Sequence, residues 1–407
     1  MPVTTVKHQG LRAALLMLPP IALHPPVRRA AAAASVLLVL ANQASAQDFR
    51  ADRLAAERAD KATKLHSYRP DTLERRLETV DRMLSSERSV YPFIGSVFEG
   101  GGFALGPGFR TRFADTGMFN AHAAMSIRQY KEAEASLKLP ELSRGRLGIE
   151  IHGNWTDAPS VAFFGIGNES QKDDRVGFGY RTTTVGANAR FQAASHFAVG
   201  GSLDAIDVDA SFAGHEGVGL LNPSYRRSQL FAEIDWRTSP GYTRRGGLYR
   251  VNWADYHQTN TGRASFHRVD AEIQQFIPVL RENWVIALRA LASTTDSPAG
   301  GEVPFYMLPS LGGNQMLRGY SSWRFRDRNR LLFTGEYRWT AGPLVDMAVF
   351  MDAGKVAARR ADLDLTGLKT SYGIGMRLHT PSATITRIEL AKSREGMGLI
   401  FALSPSF

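Results

Sequence analysis

Apolar and polar residues alternate with a period of two along most of the chain after Phe93, and this feature restricts the fold more than any other. In the run Leu331–Trp339 the odd positions are apolar or glycine, while Thr334, Glu336 and Arg338 stand at even ones. Val345, Met347, Val349 and Met351 alternate with a set that contains Asp346 and Asp352. Tyr372, Ile374, Met376 and Leu378 alternate with Ser371, Gly373, Gly375 and Arg377, and Leu230, Ala232, Ile234 and Trp236 with Gln229, Phe231, Glu233 and Asp235. Successive side chains of a strand point to opposite faces, so each segment carries one apolar and one polar face. No apolar run long enough for a membrane helix follows the first fifty residues, which excludes a helical membrane protein.

A soluble sandwich alternates too, so the period alone leaves two folds open. Three further features favour a transmembrane barrel. Many segments run for about 9–12 residues, the length a tilted membrane strand needs. Their polar face repeats Glu, Asp, Arg and Gln, which suits a wet lumen, and aromatics gather near strand ends as in an interfacial girdle. The chain closes on Leu399-Ile400-Phe401-Ala402-Leu403-Ser404-Pro405-Ser406-Phe407, read as an alternating last strand with a terminal aromatic, the strand offered to the general barrel-assembly machinery. Roughly sixteen strand-like segments fit between Phe93 and Phe407, an even number as single-chain outer-membrane barrels require. The expected fold is all-β: a transmembrane antiparallel β-barrel of about sixteen strands (90–407), with a short N-terminal helical periplasmic segment before it.

Residues 1–46 have the pattern of a cleaved signal peptide, with an uncleaved anchor as the alternative. Lys7, Arg12, Arg28 and Arg29 are their only charges, Ala30–Ala41 is the apolar stretch, and Ala44-Ser45-Ala46 fits the cleavage site. The mature protein is expected in the outer membrane of a Gram-negative-type bacterium. In the charge-dense stretch 47–89, Asp71 and Glu74 make a capping-box-like helix start, and Leu73, Leu77, Val80 and Leu84 share one helical face. That stretch is read as a solvated periplasmic tail or as the docking site of a periplasmic partner. Basic residues exceed acidic ones by 49 − 39 = 10, but the excess is spread along the chain. Basic-aromatic runs such as Tyr225-Arg226-Arg227 are assigned to lipopolysaccharide phosphates or the lumen, and no nucleic-acid partner is expected. The absence of cysteine excludes a disulfide scaffold, thiol catalysis and cysteine-ligated zinc.

One connection is long. Residues 294–330 separate two strand segments, well beyond the ~12–15 residues at which unstructured loops become uncommon. With Pro304-Phe305-Tyr306-Met307-Leu308-Pro309 and Leu317-Arg318-Gly319-Tyr320 it is too apolar and aromatic for disorder, so it is expected to fold back into the lumen.

These residues carry a resemblance. Leu311-Gly312-Gly313 with Leu317-Arg318-Gly319-Tyr320 resembles the V-R-G-F/Y loop motif of the BamA/TamA-like superfamily, also called the bacterial surface antigen family. Phe350-Met351-Asp352-Ala353-Gly354 is similar to its F-x-D-x-G strand, and Phe163-Phe164-Gly165-Ile166-Gly167-Asn168 to its aromatic-G-x-G-N segment. The resemblance covers roughly 90–407 and implies a sixteen-stranded outer-membrane barrel. It also implies an inward-folded sixth extracellular loop whose motif arginine binds acidic residues on the twelfth and thirteenth strands. Counting segments by periodicity independently puts Glu336 on the twelfth and Asp352 on the thirteenth, both facing the lumen. The loop-latch candidates are therefore Arg318, Gly319, Tyr320, Glu336 and Asp352. A latch that serves activity and a salt bridge that merely holds a plug make the same contacts. Family members that assemble or secrete proteins carry periplasmic POTRA repeats; 47–89 is too short for one, which resembles the subgroup without them.

Pairing of the first and last strands closes such a barrel. Gly95, Gly100, Gly101 and Gly102 with Phe407 are the candidate lateral seam, because glycine weakens strand pairing; a hairpin turn at Gly100–Gly102 is the alternative. The histidines show no H-E-x-x-H or other close metal spacing, and there is no G-x-S-x-G elbow. Ser265 and His267, two apart on one strand face, are the only Ser/His pair singled out. No catalytic residue, cofactor or metal ligand is assigned, and no enzyme activity is expected. The expected function is insertion or translocation of proteins (or lipids) at the outer membrane, with unfolded protein as substrate, gated by the Arg318 loop. The alternative is a passive or structural plugged pore or surface antigen.

Overall fold

The pairing register carries the two-residue alternation from strand to strand. The computed structural model describes residues 89–114, 116–212 and 222–407; the expected signal peptide (1–46) and the charged stretch expected to be helical (47–89), all but its last residue, lie outside the described residues. Sixteen strands follow one another: Val90–Gly95 (β1), Ala104–Phe113 (β2), Gly117–Ser126 (β3), Lys131–Glu141 (β4), Leu147–Phe163 (β5), Val176–Gln192 (β6), Phe197–Phe212 (β7), Ser224–Asp235 (β8), Gly246–Gln258 (β9), Phe266–Val279 (β10), Arg281–Asp296 (β11), Asn329–Gly342 (β12), Val345–Ala357 (β13), Lys369–His379 (β14), Thr384–Ser393 (β15) and Gly396–Ala402 (β16). Each is antiparallel to its predecessor and bonded to it, so one sheet of sixteen strands runs in chain order. Tight turns join the strands at one end and longer connections at the other, the asymmetry of an outer-membrane barrel.

Two neighbouring rows show what the register does. Tyr337, Val349, Ile374, Leu390 and Leu399 stand side by side across β12 to β16, an outward ladder of apolar groups. A second ladder joins Thr334, Asp352, Ser371 and Ser393, all buried on the inner face. The alternation read from the sequence is thus a lipid-facing surface backed by a polar interior. The outer face continues through Leu230, 62% exposed, and its cross-strand neighbour Trp253.

The sheet is tallest at β5 to β7, where strands reach 16–17 residues, and lowest at its ends, with six residues in β1 and seven in β16. Among the described residues β1 is bonded only to β2 and β16 only to β15. The seam expectation needs correction at both ends. Gly95 does close β1, but Gly100–Gly102 lie in the β1–β2 turn, where Gly100 and Gly102 have φ of +84° and +80°. The glycines that matter for packing are on β2. A Cβ at Gly106 would fall 1.8 Å from the carbonyl oxygen of Ala123, and one at Gly108 would enter the ring of Tyr91. That ring lies flat enough on β2 for Arg110 to stack on it at 4.1 Å, and its hydroxyl donates to Asn120 Oδ1 at 2.6 Å. At the other end β16 stops at Ala402, and Phe407 is not a strand residue. Pro405 has no N–H to give a ladder. The last residues instead run to the inner face of β10, where the Phe407 ring lies 5.8 Å from that of Phe276.

An arginine at Leu230 is expected to lower barrel stability by about 2–4 kcal/mol, the cost of a charge on the lipid face near mid-membrane. The same change at the inward-facing neighbour Gln229 should cost far less. Denaturant titrations of the folded band by heat-modifiable electrophoresis in lipid would measure both; equal losses would contradict the assignment of faces.

Candidate functional site

The long connection, residues 297–328 in the structure, folds against the inner face and is pinned at three levels. Its stem is a short ladder between Ser310–Leu311 and Phe325–Arg326. Leu311, Leu317, Tyr320 and Phe325 pack with Leu291, Leu332 and Val356 from β11, β12 and β13 in a fully buried apolar foot. This removes the loop's greasy side chains from water and leaves its charged tip to be dealt with separately.

The tip is Leu317-Arg318-Gly319. Leu317 has φ of +56° and Gly319 φ of +82°, and a Cβ at Gly319 would sit 3.3 Å from Ala391. Two left-handed positions flanking Arg318 make a turn that aims its side chain at the wall, at a backbone cost of roughly 1–2 kcal/mol at the leucine. The guanidinium is 2% exposed and meets three carboxylates. Nε donates to Asp352 Oδ2 at 2.8 Å and Nη2 to Asp352 Oδ1 at 2.8 Å, a bidentate fork. Nη1 donates to Glu336 Oε1 at 2.7 Å and to Glu389 Oε1 at 3.1 Å, and the backbone N–H of Arg318 itself donates to Asp352 Oδ2 at 3.0 Å. The ring of Phe350 lies 3.5 Å beneath the guanidinium carbon.

Three buried carboxylates around one arginine would leave net negative charge, and the wall supplies more cations. Glu336 Oε2 accepts from Arg338 Nε at 2.7 Å and Arg377 Nη2 at 2.8 Å. Glu389 accepts from Arg377 at 3.1 Å and pairs with Arg387, whose Nη2 donates to the loop carbonyl of Asn314 at 2.7 Å. Arg338 also reaches Ser406 Oγ at 3.2 Å, so the C-terminal tail belongs to the same network. Four guanidiniums therefore share three carboxylates in a site closed to solvent. Tyr320 and Gly319 add neutral bonds, the hydroxyl to Thr370 O at 3.3 Å and the carbonyl from Ser393 Oγ at 2.7 Å.

The structure brings together all five latch candidates. Sequence reasoning missed Glu389 and the arginines on β14 and β15; the available signal was the pair Arg387 and Glu389, two apart on the inner face of a strand whose outer face carries Ile388 and Leu390. The aromatic-G-x-G-N segment has a structural job of its own. Asn168 Nδ2 donates to Gly367 O and its Oδ1 accepts from Val356 N, while Gly167 N donates to Arg326 O at 2.8 Å. Arg324 stacks over Phe164 and bonds Glu395 and Ser170, so this segment fastens the loop from the opposite side. Ser265 and His267 are occupied separately: Ser265 Oγ accepts from Gln258 N at 2.9 Å, and His267 pairs with Asp255 at 2.8 Å.

Two further contacts close the interior. The β1–β2 turn docks on the loop: Trp323 Nε1 donates to Glu99 O at 3.0 Å, and the Glu99 carboxylate sits where a Cβ at Gly313 would be. Burial raises the Glu99 carboxyl to about 7, against the lowering effect of the Asn314 N–H, Arg330 and Arg326. At the tight-turn end, the β8–β9 connection (236–245) crosses to the β14–β15 turn. Thr384 N donates to Gly241 O at 2.8 Å, Arg244 Nη1 to Asp346 Oδ2 at 2.6 Å, and Tyr242 stacks on His379 at 4.0 Å.

A model of the Omp85 superfamily domain matches residues 144–395, more than half of the chain. No curated protein matches it by sequence. Among solved structures it is similar to BamA from Haemophilus ducreyi lacking POTRA domains 1-3, with a TM-score of 0.60 at 15% identity, over 78% of this chain and 71% of that one. It is also similar to CdiB from Acinetobacter baumannii, with a TM-score of 0.50 at 13% identity, over 78% of this chain and 60% of that one. At such identities these likenesses speak for the sixteen-stranded barrel fold.

Replacing Glu336 by Gln and Asp352 by Asn together leaves the four guanidiniums facing Glu389 alone. Removing one partner from a buried pair typically costs about 3–5 kcal/mol, so the double variant should release the loop. Limited proteolysis should then cut between residues 297 and 328; a loop as resistant as in the wild type would contradict the network's role. Glu99 has the sign of an acid that folds best protonated. Its docking is fully present below the ordinary carboxyl value and is lost as pH rises through about 7. In a variant whose sole tryptophan is Trp323, acrylamide quenching should increase from about pH 5.5 to about pH 8, and Glu99→Gln should abolish that dependence.

Proposed function

This chain belongs to the Omp85 superfamily, and we propose that it serves insertion or translocation of proteins (or lipids) at the bacterial outer membrane, gated by the Arg318 loop. Residues 1–46 are, on this reading, an export signal removed on the way, and the end bearing the long connections faces outward. The observation that carries the proposal is the way the loop tip is held. A plug needed only for closure is more economically fixed by apolar packing, since replacing a buried ion network by hydrophobic groups is often neutral or stabilising. Here the apolar foot holds the stem and also Leu317 and Tyr320 on either side of the turn, whereas Arg318 itself is held by discrete ion pairs to β12, β13 and β15. Such a tip has two states, paired or released, and no continuum between them. Arg377 Nη1 has no partner among the described residues, so the network also carries positive charge ready to accept another anionic group.

The chemistry involves no covalent step in this reading. Opening moves the tip away from β15 and β16, against which Gly319 lies; a Cβ at Gly398 would be 3.8 Å from Gly319 Cα. The last strand of the sheet is thereby freed on its inner side, where an unfolded segment entering the lumen would meet it. A passive plugged pore is the second reading, and the crossing of the tight-turn end by residues 236–245 favours it, because that connection narrows the lumen independently of the loop.

Single-channel recordings of the purified barrel in planar bilayers, wild type beside Arg318→Ala, separate the two. Gating predicts a small, flickering wild-type conductance that becomes large and steady in the variant. Equal conductances in both proteins would overturn gating by this arginine and leave the passive barrel.

A further inference from the structure

The inner wall at β3 and β4 has the opposite electrostatic character to the wall that holds the loop. His122 on β3 stands directly across from Glu134 on β4, and Glu132 is two residues away on the same face. One ligand atom from each of the three lies within 4.8 Å of the others. His122 Nε2 is 3.0 Å from Glu132 Oε1, with the two side chains only 7% and 14% exposed. The imidazole Nδ1 is buried and has no hydrogen-bond partner among the described residues. Glu134 has no ion pair among the described residues, although arginines abound elsewhere on the inner face. Arg110, on the adjacent β2, is stacked on the Tyr91 ring.

Two carboxylates side by side with a nine-tenths buried imidazole, and no arginine or lysine paired to them, form a site short of a cation. We propose that His122, Glu132 and Glu134 bind a divalent transition-metal ion of the zinc type, with water completing its shell on the lumen side. An imidazole with two carboxylates suits zinc-class ions, whereas calcium and magnesium prefer all-oxygen shells. Three protein ligands with an open fourth position is a familiar zinc arrangement. Metal–ligand distances of about 2.0–2.2 Å need ligand atoms closer together than the present spread, which a rotamer change in a glutamate supplies. The ion would act on the sheet's first strand as well. The ring of Phe93, on β1, is stacked on His122 at 4.2 Å and 6°. Holding His122 in one orientation therefore holds the face on which β1 rests.

The test uses the tag-free, full-length protein in detergent after chelator treatment, titrated with Co²⁺ by visible absorption and with Zn²⁺ by calorimetry. One saturable equivalent is expected, with d–d bands from Co²⁺ that excess Zn²⁺ displaces and Ca²⁺ does not. His122→Ala should abolish the signal and Glu134→Gln weaken it at least tenfold, each variant keeping the heat-modifiable band of a folded barrel. If His122→Ala does not fold, Glu132→Gln takes its place with the same expected weakening. No saturable binding by the wild type, or equal binding by the folded variants, would overturn the site. Neither result bears on gating by Arg318, which the conductance recordings address alone.

Discussion

A guanidinium keeps its proton under any condition a protein meets, so wherever Arg318 ends the barrel must supply anions. That demand organises the interior. Asp352 meets it with a bidentate fork, Glu336 and Glu389 with single bonds, and each of the last two then needs cations of its own. Arg338, Arg377 and Arg387 satisfy them, and the spare donors of Arg338 and Arg387 take up Ser406 and the Ser404 carbonyl. The inward course of the C-terminal tail is thus tied to the loop's arginine through Glu336 and Arg338. Arg377 and Arg387 even stand directly opposite one another across β14 and β15, an arrangement that like charges oppose unless carboxylates lie between them.

The sheet makes such a network affordable. A strand whose outer face meets lipid has every second position free for polar groups, and backbone pairing from β1 through to β16 leaves those groups as the main polar demand inside. The outer ladder from Tyr337 to Leu399 and the inner ladder from Thr334 to Ser393 are three residues apart, an odd number that puts them on opposite faces, so a one-residue slip in register would exchange lipid for lumen.

Parity is also what made part of this structure legible in the sequence. Period two placed Glu336 and Asp352 on one face, and counting segments placed them on the twelfth and thirteenth strands; that Arg318 binds acidic residues there was what the family resemblance implied. Glu389 was not legible: Arg387 stands two residues before it on β15, but the partners that tie it to the latch, Arg318 and Arg377, are brought in by the loop and by the adjacent strand. For Gly100–Gly102 the residue types left a seam and a hairpin turn open, and the positive φ of Gly100 and Gly102 marks the turn; Phe407 was read as the end of the last strand, which stops at Ala402, before Pro405. The grouping of His122 with Glu132 and Glu134 was equally hidden, since ligand spacing along a chain says nothing about residues paired across a ladder.

The two closures of the lumen are mechanically related. Strand β13 carries Asp352, which holds the loop tip, and on the same face, six residues earlier, Asp346, which holds Arg244 and Tyr242 of the crossing connection. On β14, Arg377 belongs to the loop's network while His379, two residues on, stacks on Tyr242. Any slip of β13 along its own axis strains both sets of bonds at once, whereas a movement of β1 and β2 touches neither. The strands β13 to β15 are therefore tied at both ends of the barrel. On the other side, where β1 has six residues and rests through Phe93 on the β3 imidazole, far fewer bonds must break for the sheet to move.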